Sequence, residues 1–439
     1  MANKRITRRS FLGASAAAAG AAIAVPHIVP ASALGKAAGK AAASERVTIA
    51  GVGTGGRGCF DMDRLRRYGA QIVALCDVNT RNLARAGKRY KVPAGSLDAD
   101  FRKTVARKEA DAVIVGTNDH WHVLIALAAL KAGKDIYVEK PVGKNIHEGR
   151  VLLEAVKKSD RIFTGGTESR SIAATRHICE LVRNGRIGKV TKIVTACPGG
   201  RTAGPQKTAP VPGWLDFDMY TGPAPKRPYD PKRISGAYHF HLRDYCSSGF
   251  MAAWGIHVHD IAHWAMDLDD TGPVEIEGTA VYPPKGDLLD CPLTWKVNYT
   301  YANGLRMEFV DGKKWPHGRG NGIHFVGTKG WITTYYGGAA KASDPKILGS
   351  KIGPNETHLY NTGKGDDNYN FVACVKSRKP TCSPANAAHS SAAIGYLGEI
   401  ACRLKRKLRW DPAKDEFKND AEANTLVSCP MRAPWTLEA

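Results

Sequence analysis

The chain has 439 residues, of which 43% are hydrophobic and 24% charged, a balance that excludes wholesale disorder and a fibrous repeat. At about 100–200 residues per domain, this length predicts two or three domains. Lys and Arg together number 63 and Asp and Glu 41, so the formal net charge is +22. The basic residues are dispersed and form no long block, which favours a basic globular enzyme over a nucleic-acid binder.

The first 33 residues have the three parts of an export signal: a basic start, a weakly apolar stretch over 10–25, and the small residues Ala31-Ser32-Ala33. Residues 7–12 read Thr-Arg-Arg-Ser-Phe-Leu and resemble a twin-arginine (Tat) signal. An ordinary secretory signal and a basic amphipathic helix are the alternatives. We therefore expect export by the Tat translocase to the periplasm, with residues 34–45 as a flexible linker. No later apolar run approaches the roughly 20 residues that span a bilayer, so no stable membrane insertion is expected once the signal is removed.

Residues 46–166 alternate between strand-like and helix-like segments, which predicts βαβ units and a doubly wound parallel sheet. Strands are expected over 47–52, 71–76, 112–115, 135–138 and 161–164. Helices are expected over 60–68, 81–89 and 123–131.

Residues 167–439 have a different pattern, which predicts a second α/β domain with an open, largely antiparallel or mixed sheet. Strands are expected over 190–196, 274–281, 294–301, 305–310, 322–327 and 330–336. Helices are expected over 176–183, from about 257, and over 368–377 and 387–404. The Pro- and Gly-rich residues 197–236 are expected to form a long loop.

A glycine-rich turn, Gly51–Gly58, follows the first predicted strand. Two overlapping G-x-G-x-x-G registers fit it, and the one that starts at Gly53 leaves a full strand before the turn. Such glycines permit a close approach of a pyrophosphate to the N-terminus of the next helix. Asp77 ends the second strand, where a carboxylate binds the adenosine ribose and repels a 2′-phosphate, so the pattern predicts NAD, with NADP less favoured. The predicted contacts are Gly53, Gly55, Gly56, Arg57, Gly58 and Asp77.

Two further loops follow predicted strands, at the sheet edge where ligands of parallel sheets bind. Residues 117–122 read Thr-Asn-Asp-His-Trp-His, and residues 139–141 read Glu-Lys-Pro. A lysine in the second loop would orient a hydroxyl or carbonyl group or carry a proton, although its spacing alone fits a solvated surface lysine. The predicted cofactor contacts from these loops are Asn118, His120, Trp121, His122, Glu139 and Lys140.

The helix predicted from Ile256 onward has polar side chains beside its apolar face: His257, His259, Asp260 and His263. His257 would act as a general acid or base with a pKa near neutrality, or would make a structural hydrogen bond. His259 and His263 have the i, i+4 spacing of metal ligands, and His239 and His241 precede them. Because histidines on a solvated helix face are commoner than metal ligands, we predict no metal site.

The segment before this helix contains aromatic and basic side chains that would form a sugar-binding wall or pack internally. They are Arg201, Trp214, Tyr238, Arg243 and Tyr245. The 10 cysteines are scattered and include no C-x-x-C pair, so most are expected to be buried thiols.

Taken in order, the glycine turn, residues 117–122 and the tripeptide 139–141 resemble the Gfo/Idh/MocA oxidoreductase family, which includes glucose–fructose oxidoreductase and inositol dehydrogenase. The resemblance covers nearly all of residues 46–437 and is strongest to the Tat-exported branch of the family. It implies a Rossmann domain over 46–166, a C-terminal α/β domain over 167–439, and a homo-oligomer. Later segments that carry it are Gly185-Arg186-Ile187-Gly188, Phe325-Val326-Gly327-Thr328, Leu408–Pro412 and Arg432–Trp435.

The resemblance also implies that Lys140 and His257 are catalytic and that the substrate is a sugar, a cyclitol or a derivative. The family's D-x-G-x-H pattern reads Ala253-Trp254-Gly255-Ile256-His257 here, so Ala253 replaces an aspartate. Because free NAD is not expected outside the cytoplasm, we expect a tightly bound NAD that is regenerated within the cycle. The alternatives are a redox-neutral glycoside hydrolase or lyase with a 3-keto intermediate, and a non-catalytic protein that binds sugar or NAD.

Overall fold

The computed structural model describes residues 45–318 and 320–437. The predicted export signal and nearly all of the predicted linker lie outside the described residues. The first sheet has six parallel strands in the order β3-β2-β1-β4-β5-β6, which confirms the predicted doubly wound parallel sheet. Its strands are β1 Thr48–Val52, β2 Gln71–Cys76, β3 Leu97–Asp98, β4 Ala112–Val115, β5 Asp135–Glu139 and β6 Phe163–Gly166.

The direction of winding reverses at β1, because β2 pairs with one of its edges and β4 with the other. At such a reversal the loops that follow the strands diverge and leave a crevice at their carboxyl ends. β1 and β4 are almost entirely buried and rich in β-branched and small residues, as expected for parallel strands covered on both faces. The glycine turn after β1 and the loop after β4 therefore face one crevice.

Five helices connect the strands of the first sheet. They are α1 Gly56–Arg67, α2 Thr80–Tyr90, α3 Phe101–Val105, α4 Asp119–Lys131 and α5 Ile146–Lys157. The sequence prediction missed β3 and α3, which are too short to show a period, and α5, whose apolar pattern is interrupted by Gly149. It also placed the last strand two residues early, since β6 ends in two glycines that have little strand propensity.

The second sheet has nine strands in the order β13-β12-β11-β7-β10-β9-β8-β14-β15. β7 and β10 pair in parallel, and the other neighbours pair antiparallel, so the sheet is mixed as predicted. Along β9, buried Trp295, Val297 and Tyr299 alternate with exposed residues, so one face of the sheet packs on the core. The strands are β7 Val190–Cys197, β8 Glu275–Val281, β9 Thr294–Thr300, β10 Arg306–Asp311, β11 Gly322–Gly327, β12 Trp331–Thr334, β13 Ala340–Ala342, β14 Leu408–Asp411 and β15 Glu416–Phe417.

Two long helices, α9 and α12, pack against each other and share one apolar cluster with the buried face of the second sheet. The helices of this half are α6 Ala173–Arg183, α7 Phe217–Thr221, α8 Phe250–Ala253, α9 Ile256–Met266, α10 Pro345–Leu348, α11 Asp367–Ser377, α12 Ala385–Leu404 and α13 Ala421–Asn424. Among the described residues, no helix is long and apolar enough to cross a membrane.

The predicted solvated histidine face on α9 is wrong, because α9 is enclosed between α6, α12 and the sheet and is buried on every side. Most of its polar residues find internal hydrogen-bond partners instead, and among the described residues His259 is the exception. Asp260 accepts hydrogen bonds from Arg170 Nε at 2.9 Å and Thr167 Oγ1 at 3.0 Å. The Nε2 atom of His263 lies 2.8 Å from the hydroxyl of Tyr301. All ten cysteines lie in the described residues as free thiols, and eight of them are buried, which confirms the thiol prediction.

Candidate active site

The turn after β1 is shaped for a ligand that closely approaches the backbone. Gly53 has a φ of +89°, and a Cβ there would lie 2.5 Å from the carbonyl oxygen of Gly116. A Cβ on Gly58 would lie 2.0 Å from the carbonyl oxygen of Gly53, so α1 approaches β1 only because Gly58 has no side chain. Around Gly55 and Gly56, by contrast, no other atom would lie within 4 Å of an added Cβ. The N-terminus of α1 is therefore open to an anionic group such as a pyrophosphate.

Asp77 lies beside this turn at the carboxyl end of β2. Its Oδ2 accepts hydrogen bonds from the backbone N of Thr54 at 2.8 Å and from Thr54 Oγ1 at 2.7 Å. Its Oδ1 accepts one from the backbone N of Asn79 at 2.8 Å. Burial raises the pKa of Asp77, and these hydrogen bonds oppose that effect by stabilising the carboxylate. The Oδ1 atom keeps an acceptor site that suits a ribose hydroxyl.

A segment of the second half, residues 213–222, lies against the loops of the first sheet, and we call it the strap. Its first part pairs with the backbone after β2. The N–H of Thr80 donates to the carbonyl of Trp214 at 2.9 Å, and the N–H of Asp216 donates to the carbonyl of Val78 at 3.0 Å. Backbone pairing of this kind fixes the strap across the crevice without depending on side-chain identity.

The second part of the strap contacts the loop after β4 and the start of α4. Asn118 Nδ2 donates to the hydroxyl of Tyr220 at 2.6 Å, and His120 Nε2 lies 3.0 Å from the carbonyl oxygen of Tyr220. Gly222 has a φ of +51°, and a Cβ there would lie 2.1 Å from the indole of Trp121. Only glycine therefore fits where the strap passes over Trp121.

A cavity of about 470 Å³ lies between the strap and the first sheet. That volume is in the range of about 300–1,000 Å³ of small-molecule sites. Predicted contacts that line it are Gly53, Gly55, Gly56, Arg57, Asp77, Asn118 and Trp121. The opposite wall includes Leu215, Met219, Tyr220, His239 and Phe240. A helix N-terminus, a ribose-binding carboxylate and apolar walls together fit a dinucleotide such as NAD.

Other predicted contacts lie behind the wall of the cavity rather than on it. Gly58 allows α1 to pack, as described above. His122 uses both ring nitrogens within the fold, with Nδ1 2.7 Å from the carbonyl oxygen of Pro141 and Nε2 3.1 Å from that of Thr117. His120 stacks on Tyr245 at 4.8 Å between ring centres, and burial lowers the pKa of His120 to about 3. The His120 imidazole is therefore neutral, and both histidines hold the loop in place.

Arg57 connects the cavity to a group of carboxylates. Its Nε donates to Asp61 at 3.0 Å and to Glu139 at 2.9 Å, and its Nη2 donates to Glu168 at 2.7 Å. Burial alone would lower the pKa of Arg57, but Glu139, Asp61 and Glu168 raise it above its usual value. Glu139 therefore holds the Arg57 guanidinium at the cavity, which differs from the direct cofactor contact predicted for it.

Lys140 is half-buried beside the end of the cavity, so the solvated surface alternative is wrong. Its Nζ donates to the carbonyl oxygen of Ala253 at 2.9 Å and lies 5.6 Å from the centre of the Phe240 ring, which lines the cavity. The backbone of Ala253, at the position of the family's aspartate, thus holds the ammonium. An ammonium has three donors, so two remain for a ligand.

The prediction that His257 has a pKa near neutrality is wrong. Burial, and after it the charge of Lys140, lowers the pKa of His257 to about 3. Its Nδ1 lies 3.1 Å from the carbonyl oxygen of Thr167, which fixes the tautomer with the proton on Nδ1. The other ring nitrogen, Nε2, is then a hydrogen-bond acceptor near neutral pH.

Three residues that the sequence prediction did not single out surround His257. The rings of Trp254 and Tyr336 lie 5.4 and 4.8 Å from the imidazole, and 5.7 Å from each other. The Tyr336 hydroxyl donates to the carboxylate of Glu168. Glu168 follows β6, so the rule for the carboxyl ends of parallel strands could have found it. Tyr336 follows β12 in the other sheet and gives no signal in the sequence.

The predicted sugar-binding wall does not form, because its members separate into different environments. Arg243 pairs with buried Glu399 at 2.6 Å, and Tyr245 is 1% exposed. Trp214 belongs to the strap and contacts Arg81, while Arg201 lies over Tyr238. Among the described residues, no group of three or more His, Cys, Asp or Glu side chains is arranged to hold a metal ion.

Two family models match the chain. The NAD-binding Rossmann fold of the oxidoreductase family matches residues 46–167, and the C-terminal alpha/beta domain of the same family matches residues 199–437. The chain belongs to the Gfo/Idh/MocA oxidoreductase family. The family's NAD-binding domain therefore includes the glycine turn and the first-sheet wall of the cavity, whose geometry fits NAD.

Curated relatives of this Gfo/Idh/MocA protein match parts of the chain. Inositol 2-dehydrogenase of Gluconacetobacter diazotrophicus is 31% identical over 149 residues, which cover 33% of this chain and 44% of the relative. A glycosyl hydrolase family 109 protein of Solibacter usitatus is 35% identical over 125 residues, which cover 26% of this chain and 28% of the relative. The chain thus matches less than half the length of these relatives.

Solved structures share the fold over most of the chain. The aldose-aldose oxidoreductase from Caulobacter crescentus, complexed with glycerol, has a TM-score of 0.61 and 17% identity, covering 83% of this chain and 99% of its own. Levoglucosan dehydrogenase, in complex with NADH and levoglucosan, has a TM-score of 0.60 and 17% identity over the same shares.

Proposed function

We propose that this protein is an exported oxidoreductase that oxidises a hydroxyl group of a sugar, cyclitol or related polyol and retains its NAD throughout the cycle. The observation that carries the proposal is the position of Lys140 at the Phe240 end of the NAD cavity, next to His257. Curated relatives named inositol 2-dehydrogenase and a fold neighbour holding levoglucosan support a polyol substrate.

The residues of the site form two groups, one that binds the cofactor and one that binds the substrate hydroxyl. NAD, when bound, supplies the hydride acceptor and, once reduced, the hydride donor. The glycine turn and the N-terminus of α1 hold the pyrophosphate, and Asp77 holds the ribose. The Lys140 ammonium donates to the substrate oxygen and stabilises the negative charge that develops on it. His257 Nε2 accepts the hydrogen bond of the same hydroxyl and orients it. Because the pKa of His257 is lowered to about 3, the imidazole passes the hydroxyl proton on to solvent and does not keep it.

Retention of the cofactor is supported by the strap. The cavity has one wall from the first sheet and the other from residues 215–240, and the strap is joined to the first sheet by backbone and side-chain hydrogen bonds. We infer that these bonds slow the release of a dinucleotide from the cavity. An exported enzyme needs such retention, since no free NAD replaces a lost molecule. We also propose that the exported chain is a homo-oligomer.

The test is to purify the full-length protein from its exported fraction, denature it, and quantify the released nicotinamide nucleotide. We expect about one NAD per chain. Polyols added to the undenatured protein should then raise the near-ultraviolet absorbance of reduced nicotinamide without added NAD. A protein that contains no NAD and takes up none contradicts the proposal, and so does a loaded protein that no sugar or cyclitol reduces.

A second candidate function, redox-neutral glycoside cleavage, is favoured by the glycosyl hydrolase family 109 relatives and by Ala253 in place of an aspartate. Transient oxidation at C3 of a glycoside acidifies the C2 proton, which allows elimination of the group at C1, addition of water and reduction. Product analysis separates the two functions. A released aglycone with no net oxidation supports cleavage, whereas paired oxidised and reduced products support oxidoreduction.

A further inference from the structure

Glu168 has a backbone conformation that few side chains adopt. Its φ is +60° and its ψ is −35°. For a residue other than glycine such a conformation is strained and persists only where the surroundings impose it. Here the carbonyl oxygen of Glu168 accepts the N–H of Ser171 at 2.9 Å and also the Ser171 hydroxyl. In this conformation the Glu168 carboxylate contacts Arg57 and Tyr336. The preceding residue in the chain, Thr167, has the carbonyl group that contacts His257.

The pair formed by Glu168 and Tyr336 has a defined proton arrangement. Burial alone would raise the pKa of Glu168, but Arg57 and the hydrogen bond from Tyr336 outweigh it and lower that pKa. Burial and the nearby Glu168 charge raise the pKa of the Tyr336 phenol. Glu168 is therefore an anion and Tyr336 a neutral phenol that gives its only proton to Glu168. Toward any other group, the Tyr336 oxygen is an acceptor.

The site next to the cofactor cavity thus has two acceptors and one donor. The acceptors are His257 Nε2 and the Tyr336 oxygen, on rings whose centres are 4.8 Å apart. The donor is the Lys140 ammonium, which keeps two N–H groups beyond its bond to Ala253. The half-buried indole of Trp254 lies beside both rings and offers an apolar face to the C–H side of a sugar ring.

Resting on the function proposed above, we propose that Tyr336, held by Glu168, accepts a hydrogen bond from a second hydroxyl group on the carbon next to the one that reacts. The substrate is thereby a neutral polyol with a vicinal diol. The first hydroxyl binds Lys140 and His257, and the second binds Tyr336. A sugar with a carboxylate at the second position has no proton for Tyr336 and places a negative charge near Glu168, so it is disfavoured. Tyr336 is a specificity-determining residue, and Glu168 is its positioning residue.

The test compares the wild type with Tyr336→Phe, using myo-inositol, D-glucose and levoglucosan as probes. The first to reduce the bound cofactor is then tested beside analogues in which one hydroxyl next to the reacting carbon is replaced by hydrogen. Tyr360→Phe is the matched control, because that tyrosine is 40% exposed and its hydroxyl bonds Asn370, outside the site. We expect Tyr336→Phe to raise KM about tenfold, with NAD content unchanged and kcat changed less than about threefold. Tyr360→Phe should match the wild type.

The deoxy analogue decides between recognition and a structural role. For the analogue that lacks the hydroxyl bound by Tyr336, the KM of the wild type should rise about tenfold. The KM of Tyr336→Phe should be the same for this analogue as for the complete substrate, since the variant already lacks the hydrogen-bond partner of that hydroxyl. If every analogue raises KM by the same factor in the wild type and in Tyr336→Phe, the proposal is overturned. A Tyr336→Phe variant that loses NAD, or loses kcat with KM unchanged, also overturns it. If no probe reduces the wild-type cofactor, the proposed function fails first, and this inference fails with it.

Discussion

The two ends of the active cleft are built in different ways. The cofactor end consists of loops that directly follow strands β1, β2 and β4, and backbone geometry dominates it, as at Gly53 and Gly58. The substrate end brings together side chains from four separate segments, which contain Lys140, Glu168, Trp254 with His257, and Tyr336. The glycine turn and Asp77 depend on the first sheet alone, whereas the opposite wall of the cofactor cavity and most of the substrate end come from the second half.

Among the variants that test this comparison, Lys140→Met is expected to have the largest effect, which is on kcat. Loss of the ammonium removes the donor to the substrate oxygen, so kcat should fall by about 10²–10⁴-fold. NAD content should not change, because Lys140 does not line the cavity. Exposed Lys131 provides the control variant, Lys131→Met, which should keep both values. Loss of NAD from Lys140→Met would show that cofactor binding depends on the substrate end, which contradicts the comparison.

The next largest effect concerns the strap. Gly222→Ala introduces a Cβ that would lie 2.1 Å from the Trp121 indole, at a φ of +51°. We expect NAD to be released at least about tenfold faster, measured as loss of nucleotide after dilution into a buffer with an NAD-degrading enzyme. Gly213→Ala is the matched control, since no atom lies within 4 Å of a Cβ there. Equal release from both variants would contradict retention by the strap.

The sequence predicts the glycine turn and Asp77 beside the cavity, and it predicts less of the group around Lys140, for a physical reason. Glycines after a strand and a carboxylate such as Asp77 after the next strand are local patterns, and parallel pairing of the strands follows from their alternation with helices. His257 was found through the family resemblance, but its burial, and hence its low pKa, depends on the packing of α9. Tyr336 comes near His257 only through tertiary structure, and no local pattern records that contact.

A smaller effect is expected on stability, from a histidine in the core of the second half. His259 is fully buried against Phe309, neither of its ring nitrogens has a hydrogen-bond partner among the described residues, and burial lowers its pKa well below 6.5. The unfolded chain therefore binds a proton that the folded chain does not, so the wild type loses stability as the pH falls below about 6.5. His259→Leu removes this loss.

The measurement is the free energy of unfolding of both proteins by urea between pH 7 and pH 4.5. The difference in favour of His259→Leu should grow by up to about 1.4 kcal/mol per pH unit below pH 6.5. Exposed His358→Leu is the control and should give a curve parallel to that of the wild type. Parallel curves for His259→Leu would contradict the burial of a neutral imidazole.

The most direct test of the central claim, that the cavity beneath the strap retains NAD through the cycle, is a turnover count in the absence of free NAD. The full chain is dialysed, mixed with a polyol and a carbonyl acceptor, and assayed for product per chain. Retention predicts many products per chain and no acceleration on addition of NAD. A reaction that stops after about one product per chain, and resumes only when NAD is added, would contradict the account.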